Sequence, residues 1–173
     1  MENKIDNYHF EWEMLGEVNI GRANLGRDVP VVVYRLFELS VREVLTSRYG
    51  KEECAEILRE AGRVAGHAFT KNALDITLEF NQFVSSLQGV LNELKIGILR
   101  IESIEDDGKI TLTISEDLDC SGLPVLGEAV CNYDEGFLEG IFQEYSKTAY
   151  TAIEVDCWAK GDRVCRFVAT PNK

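Results

Sequence analysis

The run Glu154-Val155-Asp156-Cys157-Trp158-Ala159-Lys160-Gly161-Asp162-Arg163-Val164-Cys165-Arg166-Phe167 reads as two extended arms around a turn at Lys160-Gly161-Asp162. A three-residue loop pairs Ala159 with Arg163 and Cys157 with Cys165. The two sulfurs then project from one face at adjacent cross-strand positions. Upstream lies Cys131. Three thiols and the carboxylate of Glu154, in a chain with no export signal, suggest a closed zinc site, because zinc takes thiolate and carboxylate oxygen in a tetrahedron. Two other readings stand beside it. Free cysteines often act as small buried hydrophobes, and an opposed Cys157–Cys165 pair forms a disulfide in an oxidising compartment. No Cys-x-x-Cys knuckle is present. Parity also objects: Glu154 and Cys157 are three apart, so a regular strand puts them on opposite faces. Glu154 joins the site only if a bulge or a strand start re-aims it.

Working outward, an amphipathic helix is predicted from about Val130 to Lys147, with Phe137, Leu138, Ile141, Phe142 and Tyr145 apolar and Cys131 at its N-terminus, where the helix dipole favours thiolate. Ser121-Gly122-Leu123-Pro124 is a loop. Before it, Ile96–Ile101 and Lys109–Ile114 flank Asp106-Asp107-Gly108, a second hairpin signal. Ile110, Leu112 and Ile114 face in, and Thr111 and Thr113 face out. Helical periodicity covers Leu78–Leu94, with Phe80, Phe83, Val84, Leu87, Val90, Leu91 and Leu94 apolar. A helical hairpin precedes it. Its first helix starts near Val32, carries Leu36, Val41, Val44, Leu45 and Tyr49, and ends at Gly50. Its second carries Cys54, Ile57, Leu58, Ala61, Val64, Ala65 and Ala68, with Ala61, Gly62, Ala65 and Gly66 small enough to admit a neighbouring helix. Residues 1–30 read as an extended arm of the same unit, punctuated by Gly16, Gly21, Gly26 and Pro30. Residues 31–173 form the domain. Helices first, then antiparallel hairpins separated by a helix, give an α+β fold.

The chain has 173 residues, 45% of them hydrophobic and 9% aromatic, which predicts one packed domain. Its formal charge of −12 repels phosphate backbones and anionic membrane surfaces, so neither nucleic acid nor membrane is expected as a partner. No stretch approaches the ~20 apolar residues of a membrane helix. The N-terminus lacks the apolar core of a signal peptide. Five cysteines, an odd number, argue for reduced thiols and a cytoplasmic location.

The stretches Val130-Cys131-Asn132-Tyr133-Asp134-Glu135-Gly136-Phe137-Leu138-Glu139-Gly140 and Glu154–Phe167 resemble the 4-vinyl reductase domain family. That family carries a Cys before a Gly-aromatic-x-x-Gly helix, then a Glu-x-x-Cys, a Gly-Asp and a final Cys near Phe. Gly62-Arg63-Val64-Ala65-Gly66 fits its Gly-Arg-x-x-Gly helix. The resemblance spans roughly Val31 to Val168. In the related sensor domains of phenol- and xylene-responsive activators, a zinc ion is held by one early Cys, a Glu and two later Cys. The spacings of 23, 3 and 8 between Cys131, Glu154, Cys157 and Cys165 match that arrangement. The resemblance therefore implies Zn2+ on these four residues and a small apolar or aromatic ligand between helices and sheet. It further implies a fold shared with haem-based nitric oxide sensors and vesicle-tethering subunits of Golgi transport; a homodimer is expected. The family's name derives from a proposed role in bacteriochlorophyll synthesis and does not itself make this chain a reductase. Only His9 and His67 are present and the haem sensors' Tyr-x-Ser-x-Arg motif is missing, so haem is not expected. The activators' ATPase and DNA-binding segments are not in these 173 residues, so output is expected through a separate protein.

Phe80, Phe83, Leu87, Val90 and Leu94 are the candidate ligand-pocket residues, and a plain core stripe is the other reading of them. Gln82 is a possible contact at the pocket mouth. His67 reads as an ordinary helix residue, since no Ser, Cys or Asp partner is near it in sequence. The acidic runs Glu102–Asp107 and Glu116-Asp117-Leu118-Asp119 read as solvated strand ends and turns. Cys54 reads as core, and Cys120 is a fifth thiol of open role. No phosphate loop, His-Glu-x-x-His pair or nucleophile elbow occurs. Three Cys and one Glu leave zinc no position for water, so the expectation is a binding domain rather than an enzyme. An assembly protein and a zinc-dependent enzyme of tetrapyrrole metabolism are the alternatives.

Overall fold

The structure, a computed structural model, describes residues 8–172. After a 310 turn at Trp12–Leu15, the helices are α1 (Val18–Gly21), α2 (Val31–Tyr49), α3 (Lys51–Ala73), α4 (Phe80–Glu93) and α5 (Asn132–Ser146). The strands are β1 (Ile98–Ile104), β2 (Ile110–Ser115), β3 (Tyr150–Asp156) and β4 (Cys165–Pro171). They form one antiparallel sheet of order β1-β2-β4-β3, so the two hairpins join along β2 and β4. The architecture is α+β, as expected, but the N-terminal segment holds short helical turns rather than a wholly extended arm. No described helix is long and apolar enough to cross a membrane.

Alternation along the strands sets the core. Ile110, Leu112 and Ile114 of β2 and Cys165, Phe167 and Ala169 of β4 are buried on one face. Phe83, Leu87 and Leu91 of α4 and Leu138, Ile141 and Phe142 of α5 join the same cluster. Thr113 points to the other face yet is buried, paired between Arg100 and Arg166 on the flanking strands.

Helix α5 is central, packed against α3 as well as against β3 and β4. The approach to α3 is so close that no side chain fits between the backbones. A Cβ on Gly136 would sit 1.8 Å from the Arg59 carbonyl oxygen, and one on Gly62 would sit 2.0 Å from that of Tyr133. Gly66 and Gly140 complete the seam. The small stripe on α3 thus admits a helix, but the helix is α5, not α2. Helix α2 is joined to α3 only by Gly50, at φ +87°. Leu36 and Val44 of its expected apolar stripe are exposed, and its single buried residue is Glu38. Polar contacts hold α2 instead. Arg35 donates to the carbonyls of Leu118 and Ser121, and Arg42 donates to that of Val130.

The free edge of β3 is covered by α5. Glu139 accepts the Ala152 N–H at 3.0 Å and pairs with Arg63 of α3. One turn earlier, Glu135 accepts the Glu154 N–H at 2.8 Å and pairs with Arg59. Two backbone donors that an edge strand would expose are thereby satisfied.

Candidate metal centre and ligand cavity

Cys120, Cys131, Cys157 and Cys165 are fully buried free thiols, and one ligand atom from each lies within 4.8 Å of all the others and of a Glu154 oxygen. Three elements and two loops converge there. Cys131 is the residue before α5, Glu154 lies on β3, Cys157 follows that strand's end, and Cys165 opens β4 across from Ile114. Asp162 accepts the Cys157 N–H and fixes the turn. The loop between Cys157 and Cys165 is longer than three residues, because a 310 turn at Trp158–Lys160 occupies it.

The parity objection is resolved by a register shift in β3. Glu154 pairs with Phe167, but Asp156 pairs with Arg166, so Val155 is an extra, outward-facing residue. The bulge brings Cys157 level with Cys165 and leaves Glu154 and Cys157 both buried on the inner face. Nothing in the sequence marks Val155, which is neither Gly nor Pro.

The donor set fits a tetrahedral zinc. With Zn–S near 2.3 Å, sulfur atoms on a tetrahedron stand about 3.8 Å apart. Cys131 Sγ lies 3.9 Å from Cys157 Sγ and 3.8 Å from Cys165 Sγ. Cys120 Sγ is 3.0 Å from Cys165 Sγ, too near for both to sit on one metal without moving apart. Glu154 Oε2 accepts the Cys131 N–H at 3.3 Å, while Oε1 is buried with no partner. Such an orphan oxygen needs a cation or a proton. Burial, then the Cys157 charge, pushes the Glu154 carboxyl up to about 8. Hydrogen bonds from the three neighbouring thiols hold the Cys157 thiol below its ordinary range. Hydrogen bonding within the cluster, together with burial, raises Cys131 and Cys165.

Cys120 is the residue that the sequence left open. An Asp turn presents it: Asp117 Oδ1 accepts the N–H groups of Asp119 and Cys120 at 2.9 and 3.0 Å. Asp117 and Asp119 are therefore buried, at 2% and 5% exposure, not solvated as their acidic run suggested. The other acidic run is solvated as expected, with Glu102 against Arg166 and Glu105 against Lys109. His67 is half-buried, 3.3 Å from Glu144. Cys54 is core.

The candidate pocket residues on α4 and at its C-terminal end pack into or beside the core. Phe83 and Leu87 are fully buried in the core, Phe80 and Val90 pack partly buried against it, and Leu94 is half-exposed. A large apolar cavity of about 860 Å³ lies elsewhere, between the N-terminal segment, α2, α3 and the start of α5. Half of its lining is aromatic, including Phe10, Trp12, Phe37, Phe69, Tyr133 and Phe137. Asp119 and Asp134 are its acidic members. The sequence hid this cavity because its walls come from six separate stretches of the chain.

Residues 110–171 match the model of the 4-vinyl reductase domain. The uncharacterized protein MJ1642 of Methanocaldococcus jannaschii is 30% identical over 83% of this chain and 78% of its own length. Three solved structures share the fold. A vinyl-4-reductase family protein from Methanocaldococcus jannaschii has a TM-score of 0.60 at 15% identity, over 92% of this chain and 98% of that one. The phenol-responsive sensory domain of the transcription activator PoxR, solved with phenol, has 0.62 at 11%, over 83% and 75%. A trafficking protein particle complex subunit 3 from Naegleria fowleri, covalently bound to palmitic acid, has 0.64 at 12%, over 83% and 95%. The chain belongs to the 4-vinyl reductase domain family.

Proposed function

We propose that this chain is a sensory or regulatory domain that binds a small apolar or aromatic molecule, with zinc as a structural tie rather than a reaction centre. The observation that carries this reading is the aromatic-walled cavity, whose size matches those of small-molecule sites. The PoxR sensory domain with phenol and the palmitate-bound trafficking subunit, both of this fold, support the ligand class. Cys131, Glu154, Cys157 and Cys165 are the proposed zinc ligands. The orphan Glu154 Oε1 takes the fourth position, and Cys120 donates its S–H to the Cys165 thiolate from outside. Zinc there would join α5, β3 and β4, and the filled coordination shell leaves no site for an activated water. A cytoplasmic location and output through a separate protein complete the proposal.

Native mass spectrometry of purified protein tests it directly. About one zinc per chain and a co-purified apolar compound are expected. Ala65→Trp, which projects bulk into the cavity, should abolish ligand retention with zinc kept. The reading fails if crystals grown with and without ligand show the cavity closed at core density. A second reading, an assembly subunit, draws on the exposed Val32, Val33 and Leu36 of α2. We place a second copy of this chain on that face, and sedimentation of Leu36→Glu as a monomer against a wild-type dimer is the check.

A further inference from the structure

The cavity combines two features that an apolar guest alone would not need. Its walls are aromatic, with Phe69 and Phe137 tilted at a centroid distance of 5.2 Å and Tyr133 stacked along Phe137 at 6.4 Å. Its acidic members, Asp119 and Asp134, are 5% and 6% exposed, and each carries one buried oxygen, Oδ2, with no hydrogen-bond partner. Asp119 Oδ1 is already held by the Tyr34 hydroxyl at 2.7 Å. No Lys or Arg among the described residues forms an ion pair with Asp117, Asp119 or Asp134. The two nearby arginines are committed elsewhere. Arg35 serves the carbonyls of Leu118, Asp117 and Ser121, and Arg42 serves Glu38, Asn132 and the Val130 carbonyl.

Resting on the small-molecule reading above, we propose that the cavity takes an organic cation: an ammonium group on an apolar body, with the ammonium against Asp119 and Asp134. Aromatic faces attract a cation through their ring quadrupoles, and the attraction grows as water is excluded. A cation also satisfies two buried acceptors that a hydrocarbon would leave unpaired. An anion finds no cationic partner among the lining residues. The apolar walls hold the rest of the molecule, so small hydrated cations such as potassium are rejected for want of contact.

The test is calorimetric titration of the zinc-loaded protein with three probes of similar shape. These are benzyltrimethylammonium, its neutral isostere 2,2-dimethylpropylbenzene, and the anion 3-phenylpropanoate. The cation should bind at least tenfold more tightly than the neutral isostere, and the anion should not bind. In Asp134→Asn the ratio of cation to neutral affinity should fall about tenfold. In Phe37→Leu, a surface change on α2 that leaves the acidic floor intact, the ratio should fall several-fold. Equal binding of cation and neutral isostere in the wild type overturns the cation proposal while leaving an apolar site standing. Preference for the anion, or a ratio unmoved by both variants, overturns it equally. Binding of none of the three overturns both the cation and the apolar-site readings.

Discussion

Glu154 has an unpartnered buried oxygen beside four thiols, and that fixes what each neighbouring substitution should do. Removing a thiolate ligand by Cys157→Ser should empty the site and lower the melting temperature, since metal-binding free energy here becomes folding free energy. Cys120→Ser should keep the metal, because a serine hydroxyl still donates to Cys165. Glu154→Gln should weaken zinc strongly, because a neutral amide oxygen replaces the carboxylate. Cobalt substitution reads the outcome: the charge-transfer intensity should correspond to three thiolates in wild type and in Cys120→Ser alike. A four-thiolate spectrum that drops in Cys120→Ser would place Cys120 in the shell and Glu154 outside it. At this scale the sequence was informative about residue types and silent about geometry. Cys131, Cys157 and Cys165 stood out as thiols, and the family spacing singled out Glu154. The bulge at Val155 that aims Glu154, and the Asp117 turn that delivers Cys120, depend on backbone hydrogen bonds with no sequence mark.

Among the elements, the α3–α5 seam has the least tolerance. Gly136→Ala puts a methyl carbon 1.8 Å from a backbone oxygen, so one helix must move, and a cost of about 3 kcal/mol is expected. Gly89→Ala is the internal control. Its Cβ meets nothing within 4 Å, so removing a helix-interior glycine should stabilise the fold by about 0.5–1 kcal/mol. Urea denaturation of the two variants separates them in sign, and a similar loss in both would refute the close approach of the two backbones. The edge of β3 yields a local test. Glu139→Ala removes the acceptor of the Ala152 N–H and the partner of Arg63, so hydrogen exchange at Ala152 should accelerate at least tenfold. The four long helices, both hairpins and the inward set Ile110, Leu112 and Ile114 were legible because periodicity records which face meets the core. Which helix fills the Gly62–Gly66 groove was not, since a small stripe specifies closeness without specifying a partner. The exposed stripe of α2 shows the same limit: apolar spacing identified a helix and assigned it a burial that polar contacts from Arg35 and Arg42 replace.

Across the whole molecule, the metal proposal and the buried acids predict opposite responses to pH with and without zinc. Burial raises Asp117, Asp134, Asp119 (to about 7) and Glu154 (to about 8). Each therefore binds a proton more tightly folded than unfolded, where it titrates near 4. Their contribution is fully present below those unfolded values; that of Asp119 is lost as pH climbs through about 7 and that of Glu154 through about 8. Cys157, held low by its thiol neighbours, pulls the other way, against Asp119 and Glu154 within this window, with Asp117 and Asp134 acting in the same direction as those two. Exposed acids held low by partners, such as Glu102 beside Arg166, act only below about pH 4.5, outside this window. Zinc-free protein, kept reduced, should thus melt at a higher temperature at pH 5.5 than at pH 8. In the zinc-loaded protein, protons compete with metal for the thiolates, so acidification releases zinc and lowers the melting temperature over the same interval. Scanning calorimetry of chelator-stripped and zinc-loaded samples at matched pH values decides the matter. Profiles that slope oppositely and cross support a metal seated among buried carboxyls. Parallel profiles would mean that zinc does not engage the thiols beside Glu154, and the site would then be a cluster of core cysteines.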